Sequence, residues 1–319
     1  MIVYDFDKTI YNGDCTLDFY FYCIRKELSL IRFLPVQLMA FIKYVLGLQS
    51  KTLFKEGFYS FLKGIRDIDL YIEEFWGLNR HKIKNWYLEK RSADDIIITA
   101  SPEFLLKPIC ASLEIDHLIA SCVDKSSGRY TGKNCHGEEK VARFSQIFGS
   151  LSIHEFYSDS LTDTPLASLS EKSFIVCKDE IIPWDSYVPP RWLQVIRTFL
   201  NREFILFLMI GTVNAADGIL FSYLFSSLFN VNLALVFGYS ISLTISYFLN
   251  SILAFREKLG IMKYIKFCVS YLPNFLIQNV TVLVLCNILG VHKLIGYSVA
   301  AILGIPVTFL LVKLFTFKK

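Results

Sequence analysis

Beyond Pro189–Pro190 the chain carries four apolar runs, Phe204 to Phe229, Leu233 to Phe255, Tyr264 to Leu289 and Leu294 to Phe317, each long enough for the roughly 20 residues that a bilayer crossing requires. Four such runs in series have no place in a water-soluble core, so this part must meet lipid. The charges agree: residues 191–319 hold only 14 of the 62 charged residues, 11 basic and 3 acidic, whereas residues 1–190 hold 22 basic and 26 acidic ones. The net charge of +4 therefore comes from the membrane flanks and is not the footprint of a nucleic-acid-binding surface.

Arg191, Arg197 and Arg202 precede the first run. Arg256, Lys258, Lys263 and Lys266 lie between the second and third or at the start of the third, and Lys318 and Lys319 close the chain. The loop at 230–232 is uncharged and that between the last two runs has only His292 and Lys293, so positive-inside counting puts both termini in the cytosol, in a multi-pass protein of the cell inner membrane. MIVYDFD has neither a basic n-region nor an apolar h-region, so the soluble part is expected to stay cytosolic. Eight cysteines without a C-x-x-C pair or a short-range His partner read as reduced structural thiols.

In the soluble part Met1 to Phe6, Asp94 to Thr99, Ile153 to Tyr157 and Phe174 to Cys177 read as short strands. Ser101-Pro102-Glu103 reads as the N-cap and first turn of a helix through Leu113, and Gly137 to Phe148 as another helix. This alternation predicts a three-layer, Rossmann-like α/β domain with a mostly parallel sheet, polar strand ends converging on one crevice. Leu17 to about Arg91 lacks strand signals and is rich in Leu, Phe, Tyr and Lys at helical spacing, an inserted helical cap. The expected organisation is an α/β domain over 1–188 with its cap at about 15–91, then an all-α four-helix transmembrane domain over 199–317, crossing at 204–229, 233–255, 264–289 and 294–317.

Asp5-Phe6-Asp7-Lys8-Thr9 stands at the first strand's end. Carboxylates two apart in a strand emerge on one side and can share a metal and a phosphate. One can attack phosphorus to give an acyl phosphate while the other protonates the leaving oxygen and then activates water, with magnesium neutralising the charge. Taken alone, such a pair also reads as a turn or helix cap, and Thr99 as a plain strand end. Asp94-Asp95 reads as a strand cap, His136 and His154 as surface or packing residues.

Four stretches in order, DFDKT, IIITAS, Lys140 within GEEKVARF, and SDSLTD, resemble the motifs of the haloacid dehalogenase superfamily, more closely its phosphoserine phosphatase-like branch, over roughly residues 1–185. The resemblance implies Asp5 as nucleophile, Asp7 as general acid/base, Thr99 as a donor to a phosphoryl oxygen and Lys140 as the group that steadies nucleophile and phosphate. It implies Mg2+ held by Asp5, Asp159 and the backbone carbonyl of Asp7, with Asp163 supporting the metal directly or through water. An acid at Asp7 is the superfamily's phosphatase pattern, whereas ITAS departs from the S-G-G common in phosphoserine phosphatases and leaves an amino-acid substrate in doubt. Lys133 competes with Lys140 for the lysine's role; Lys140 is preferred because it lies on the helix.

FLMIGTVNAADGILFSYLF and ISYFLNSILAFR resemble the GtrA-like four-helix membrane family over about residues 199–317, with Gly211, Asn250 and Phe255 at matching positions and Ser251 where an Arg often stands. That resemblance implies work on cell-surface polysaccharide, often with polyprenyl-phosphate-linked sugars. Asp217 is the single charged residue between Phe204 and Phe255, with Asn214 one turn before it, and a carboxylate at membrane depth is either functional or a hydrogen-bonded helix glue. Pro273, Asn274, Gln278 and Asn279 form a similar polar patch, and Pro306 makes a kink. Leu28 to Leu48 is unusually apolar, either cap core or a headgroup-level segment, with Arg32, Pro35, Gln37 and Lys43 against a full crossing.

The expected function is Mg-dependent phosphomonoester hydrolysis at the bilayer on a polyprenyl-linked or sugar phosphate, with the membrane half binding or moving a lipid-linked sugar. The alternatives are a phosphatase for soluble phosphoserine or sugar phosphate merely anchored by the helices, and a flippase or accessory protein whose first domain senses a phosphorylated ligand. The partners are the phosphorylated substrate and the lipid bilayer, without nucleic acid. Four helices are few for a transport path, which leaves a homodimer as the alternative to a monomer.

Overall fold

The structure, a computed structural model, describes residues 1–149, 151–190, 198–199 and 201–317. Arg191, Arg197, Lys318 and Lys319, used above for orientation, lie outside the described residues, as do the side chains of Gln278 and Asn279. The chain folds as two compact units, Met1–Val188 and Pro189–Lys319.

The first unit is built on a six-stranded sheet, β1 (Ile2–Tyr4), β2 (Ile96–Pro102), β3 (His117–Ser121), β4 (Ile153–Ser158), β5 (Ser170–Cys177) and β6 (Glu180–Pro183), in the order β3-β2-β1-β4-β5-β6. All neighbours run parallel except β5–β6. The expected three-layer domain is present, and alternation along the strands makes its layers. Val3, Ile96, Ile98 and Phe156 face one side and pack with Phe144, while Tyr4, Ile97 and Tyr157 face the other. On that second face the register partners Tyr4, Tyr157 and Phe174 stack in a row, with ring centroids 5.1 and 4.9 Å apart.

Two strands escape the sequence reading for identifiable reasons. β3 is an edge strand of mixed polarity, HLIAS, with an exposed start. β6 pairs back through the two-residue turn Lys178–Asp179, where Lys178 takes φ 57° without the Gly or Asn that announces such a hairpin.

Between β1 and β2 the chain is helical: α1 (Cys15–Lys26), α2 (Leu34–Val45), α3 (Lys51–Phe58), α4 (Ile68–Asn79) and α5 (Asn85–Lys90). Asp14, Ser50 and Asp67 cap α1, α3 and α4, each accepting a first-turn N–H. Leu28–Val45 is long and apolar enough to cross a membrane by length and composition, and it consists of a 3-10 turn over Leu28–Phe33 followed by the 12-residue α2. Then follow α6 (Glu103–Ser112), α7 (Glu138–Phe148) and α8 (Thr164–Ala167). Ser101 does not cap α6: it belongs to β2, and its hydroxyl is engaged elsewhere.

The second unit is helical, with α9 (Arg202–Phe225), α10 (Val231–Leu249), α11 (Ile261–Ser270), α12 (Leu272–Val282) and α13 (Lys293–Leu311). α10, α12 and α13 continue into wider π-type turns at Asn250–Ala254, Leu283–Ile288 and Val312–Thr316. Arg202–Phe225 and Val236–Ala254 are long and apolar enough to cross a bilayer, with mean hydropathy 1.9 and 1.4. The third apolar run is interrupted between Ser270 and Leu272, beside Pro273, so α11 and α12 share it. Phe207, Leu243, Tyr247, Phe267, Phe309, Val312 and Phe317 form the common core.

α9 and α10 approach closely because small residues meet: a Cβ on Gly238 would lie 2.5 Å from the backbone N of Ser222. Gly238→Val is therefore expected to cost about 1–3 kcal/mol of stability through overpacking. Thermal unfolding of the detergent-solubilised protein would read this as a lowered midpoint.

Candidate active site

The sheet order reverses at β1, with β2 on one side and β4 on the other, and at such a switch point the crevice beyond the strand ends is open for a ligand. Asp5 follows β1, Thr99 and Ser101 lie near the end of β2, and Ser158 and Asp159 end β4. Parallel strands bring these three ends together although they are separated by most of the unit's length in sequence.

Lys140, on α7, reaches the crevice from below. Its Nζ donates to Asp5 Oδ1 at 2.7 Å and to Asp163 Oδ2 at 2.8 Å, and Asp163 Oδ2 also accepts from the Ser158 hydroxyl at 2.8 Å. Burial works against the Lys140 charge, yet Asp5 and Asp163 together hold its pKa above the usual lysine value. Burial pushes the Asp5 carboxyl up, Lys140 pulls it back and Asp163 adds to the rise. One cation between two acids fixes the orientation of Asp5. Lys133 is on the surface, its side chain 84% exposed and 3.8 Å from Glu139.

Asp7 is placed by a turn rather than by strand alternation, since β1 ends at Tyr4. The turn needs Lys8 at φ 59°, stabilised by its N–H to Gly13 O at 2.9 Å and by Lys84 Nζ on its carbonyl at 2.7 Å. Both oxygens of Asp7 are occupied: Oδ1 accepts the Cys15 N–H at 2.7 Å, and Oδ2 accepts the Ser101 hydroxyl. Burial, followed by the nearby charge of Asp14, pushes Asp7 up to about 6 against those bonds. A carboxyl that titrates near neutrality can both give and take a proton. Thr99 is buried, its Oγ1 accepting the Ser101 N–H at 3.2 Å.

Asp159 has no hydrogen-bond donor among the described residues, and burial with the charge of Asp5 pushes it up to about 7. Among the described residues no three acidic, His or Cys side chains form a cage that would hold a metal alone. Magnesium does not require one, because it keeps several waters and takes only one or two carboxylates. Asp5, the unpaired Asp159 and the Asp7 carbonyl suit such an ion. Asp163, whose Oδ2 is shared by Lys140 and Ser158, is better placed to position the lysine.

Three residues of the site escaped the sequence reading. Ser101 had a usable signal, its period-two spacing from Thr99. Ser158 opens the SDSLTD stretch, which the resemblance left without a role for it, and Lys55 had no signal. Lys55, on α3, donates to Asn134 Oδ1 at 3.0 Å and to Ala100 O at 3.3 Å. Burial and then Lys51 push its pKa down to about 8, while Asp14 and Asp7 pull it up, so the cap delivers a cation to the crevice. His154 meets Glu171 on the surface, His136 lies 3.2 Å from Lys51 Nζ, and Asp95 accepts the Ser92 N–H at 2.9 Å.

In the second unit the Ser242 hydroxyl lies 2.6 Å from Asn214 Oδ1 and also contacts Asp217 Oδ1, linking α9 and α10 through a polar cluster. Asn250 does not join it: its amide bonds back to Ser246 O at 2.9 Å, two helical turns along from Ser242. Gly211 has open space where a side chain would stand.

A model for haloacid dehalogenase-like hydrolases matches residues 2–168, and a model for the GtrA/DPMS transmembrane domain matches residues 206–317. Protein CicA of Caulobacter vibrioides, from strains NA1000 / CB15N and ATCC 19089 / CIP 103742 / CB 15, is 31% identical over 88 residues, covering 26% of this chain and 40% of the relative. The match thus spans less than half of the curated relatives. Among solved structures, a protein of unknown function from Bordetella pertussis Tohama I has 22% identity and a TM-score of 0.44, covering 54% of this chain and 87% of the other. A phosphoserine phosphohydrolase-like protein from Francisella tularensis subsp. tularensis SCHU S4 has 16% identity and a TM-score of 0.37, covering 56% and 89%.

Proposed function

Since the chain belongs to the haloacid dehalogenase-like hydrolases and carries a GtrA/DPMS transmembrane domain, we propose that it is a membrane-bound, magnesium-dependent phosphomonoesterase acting on a lipid-linked or sugar phosphate of surface-glycan synthesis. The observation that carries this reading is the Asp5–Lys140–Asp163 arrangement with Asp7 held separately by Ser101 and the Cys15 N–H. It separates an oriented nucleophile from a proton carrier, the division of labour that a double displacement needs.

In the proposed reaction Asp5 attacks phosphorus, the bond from phosphorus to the ester oxygen breaks, and Asp7 gives its proton to that oxygen. Asp7 then takes a proton from the water that attacks the acyl phosphate, releasing phosphate and restoring Asp5. Lys140 keeps Asp5 oriented, and the Thr99 hydroxyl binds a phosphoryl oxygen. Magnesium, held by Asp5, Asp159 and the Asp7 carbonyl, would offset the negative charge of the phosphoryl group. Asp163 positions Lys140. The basic flanks of the membrane helices support an inner-membrane protein with the hydrolase unit in the cytosol.

Lys55 is assigned to an anionic part of the substrate. Losing one charge-assisted hydrogen bond, Lys55→Met is expected to raise KM about tenfold to a hundredfold with a smaller change in kcat. Its pKa near 8 gives the sign of the pH dependence: the ammonium is present below that value and lost above it, so wild-type KM rises in alkali. The Lys55→Met profile should lack this rise.

The proposal is tested by phosphate release from the purified full chain with and without magnesium, comparing a polyprenyl-linked sugar phosphate, free sugar phosphates and phosphoserine. Preference for the lipid supports one pathway step shared by both units. Preference for a soluble ester makes the helices an anchor, and release from none of them overturns the reading.

A further inference from the structure

The outer face of α2 has no partner among the described residues of the unit that carries it. Gln37, Ala40 and Val45 face inward: Gln37 accepts the Tyr20 hydroxyl at 2.7 Å and donates to Phe58 O at 2.8 Å, and Ala40 packs on Gly57 of α3, where an added Cβ would lie 2.3 Å away. The opposite side exposes Val36, Leu38 and Met39 at 51, 59 and 53% of their surface. Leu28, just before α2, and Leu48, just after it, are exposed at 69 and 73%. An apolar surface of this extent on a soluble unit calls for a covering.

Its charges identify the covering. From Leu28 to Lys55 there is no Asp or Glu, and Arg32, Lys43 and Lys51 are exposed around the apolar residues. A short helix with an apolar outer face and only basic charges suits the boundary between acyl chains and anionic headgroups, where lysine and arginine stems follow the apolar surface and their heads meet phosphate. The chain also carries its own bilayer-crossing helices, so this surface is held at high effective concentration near lipid throughout its life. A protein partner would be expected to offer acids against these bases, whereas an anionic bilayer offers both chemistries at once.

We propose that α2 and its flanks form an interfacial contact that seats the cap in the headgroup layer of an anionic bilayer. α2 packs directly on α3, and α3 carries Lys55 into the crevice, so the seated surface and the substrate-facing cation move as one piece. The contact does not depend on which phosphate ester is cleaved.

The test uses the full chain in nanodiscs of phosphatidylcholine with or without phosphatidylglycerol, carrying a bimane fluorophore at Leu38→Cys or Met39→Cys. Ile147→Cys on α7, exposed at 60%, is the control, and the unsubstituted chain labelled in parallel corrects for native cysteines. Lipids with a nitroxide near the headgroup should quench the two α2 positions several-fold more than Ile147, more strongly with phosphatidylglycerol, and Lys43→Glu should reduce the difference. Equal quenching at all three positions would overturn the proposal. So would α2 positions that stay unquenched when labelled and whose unlabelled cysteines cross-link to a second copy, which would make this face a dimer interface. Quenching is read without substrate, so its failure and a failure of the proposed hydrolysis are separate results.

Discussion

Asp5→Asn is expected to lower phosphate release by about 10⁴-fold or more, because the amide is a poor nucleophile and the remaining groups assist only a direct attack by water. The substitution is nearly isosteric, and Lys140 retains Asp163 at 2.8 Å, so the fold should survive. A circular dichroism spectrum and melting midpoint close to the wild type would separate loss of chemistry from loss of structure. Asp7→Asn should differ in kind. It leaves the proposed nucleophile in place and removes the proposed proton carrier, so formation of the phosphoryl-enzyme should be faster than its hydrolysis for substrates whose leaving group needs no proton, and an initial burst should appear. Equal activity in Asp5→Asn and wild type would assign the attack to another group.

Lys140→Met has the second largest effect, and here it falls on stability as well as rate. The ammonium is buried between two buried carboxylates, Asp5 and Asp163. Removing it leaves two acids without their shared cation, and breaking a buried pair in this way costs about 3–5 kcal/mol. The pH dependence follows from the same geometry. Asp5 already has a folded-state pKa above its ordinary value, and without Lys140 that pKa rises further. A carboxyl with a raised folded pKa contributes stability that is present below its unfolded pKa and lost as pH rises through the folded one. The variant's deficit should therefore narrow on acidification and widen toward neutrality. Equilibrium unfolding at several pH values checks this, and a deficit independent of pH would show that the lysine acts through packing alone.

Four of the six strands, the four motif stretches and the apolar runs could be read from the sequence because each is a local pattern: a β-branched run, a fixed order of polar residues, a length without charge. The helical nature of the stretch between the first two strands was legible for the same reason. What the sequence did not display depends on pairing in space. β3 exists because an edge of the sheet accepts HLIAS, and β6 because the chain turns back at Lys178. Ser-Pro-Glu is a sound helix start by local chemistry, yet the structure keeps Ser101 in β2 with its hydroxyl on Asp7. Lys55 carries no pattern at all, and Ser158 stands in the SDSLTD stretch with nothing to mark its role. They enter the site only because α3 folds over the crevice and β4 lies beside β1. In the membrane unit Asn214 and Asp217 meet at Ser242, whereas Asn250, named with them from sequence, sits with Ser246 instead.

In the proposed reaction Asp5 itself carries the phosphoryl group. An acyl phosphate is reduced by borohydride to the alcohol, so quenching turnover into borohydride would convert the side chain at position 5 into homoserine. Peptide mass spectrometry of the full chain, quenched during turnover of whichever ester supports release, reads this directly. Homoserine is expected at position 5, absent without substrate and absent in Asp5→Asn. Continued phosphate release with an unmodified Asp5 under these conditions would contradict it.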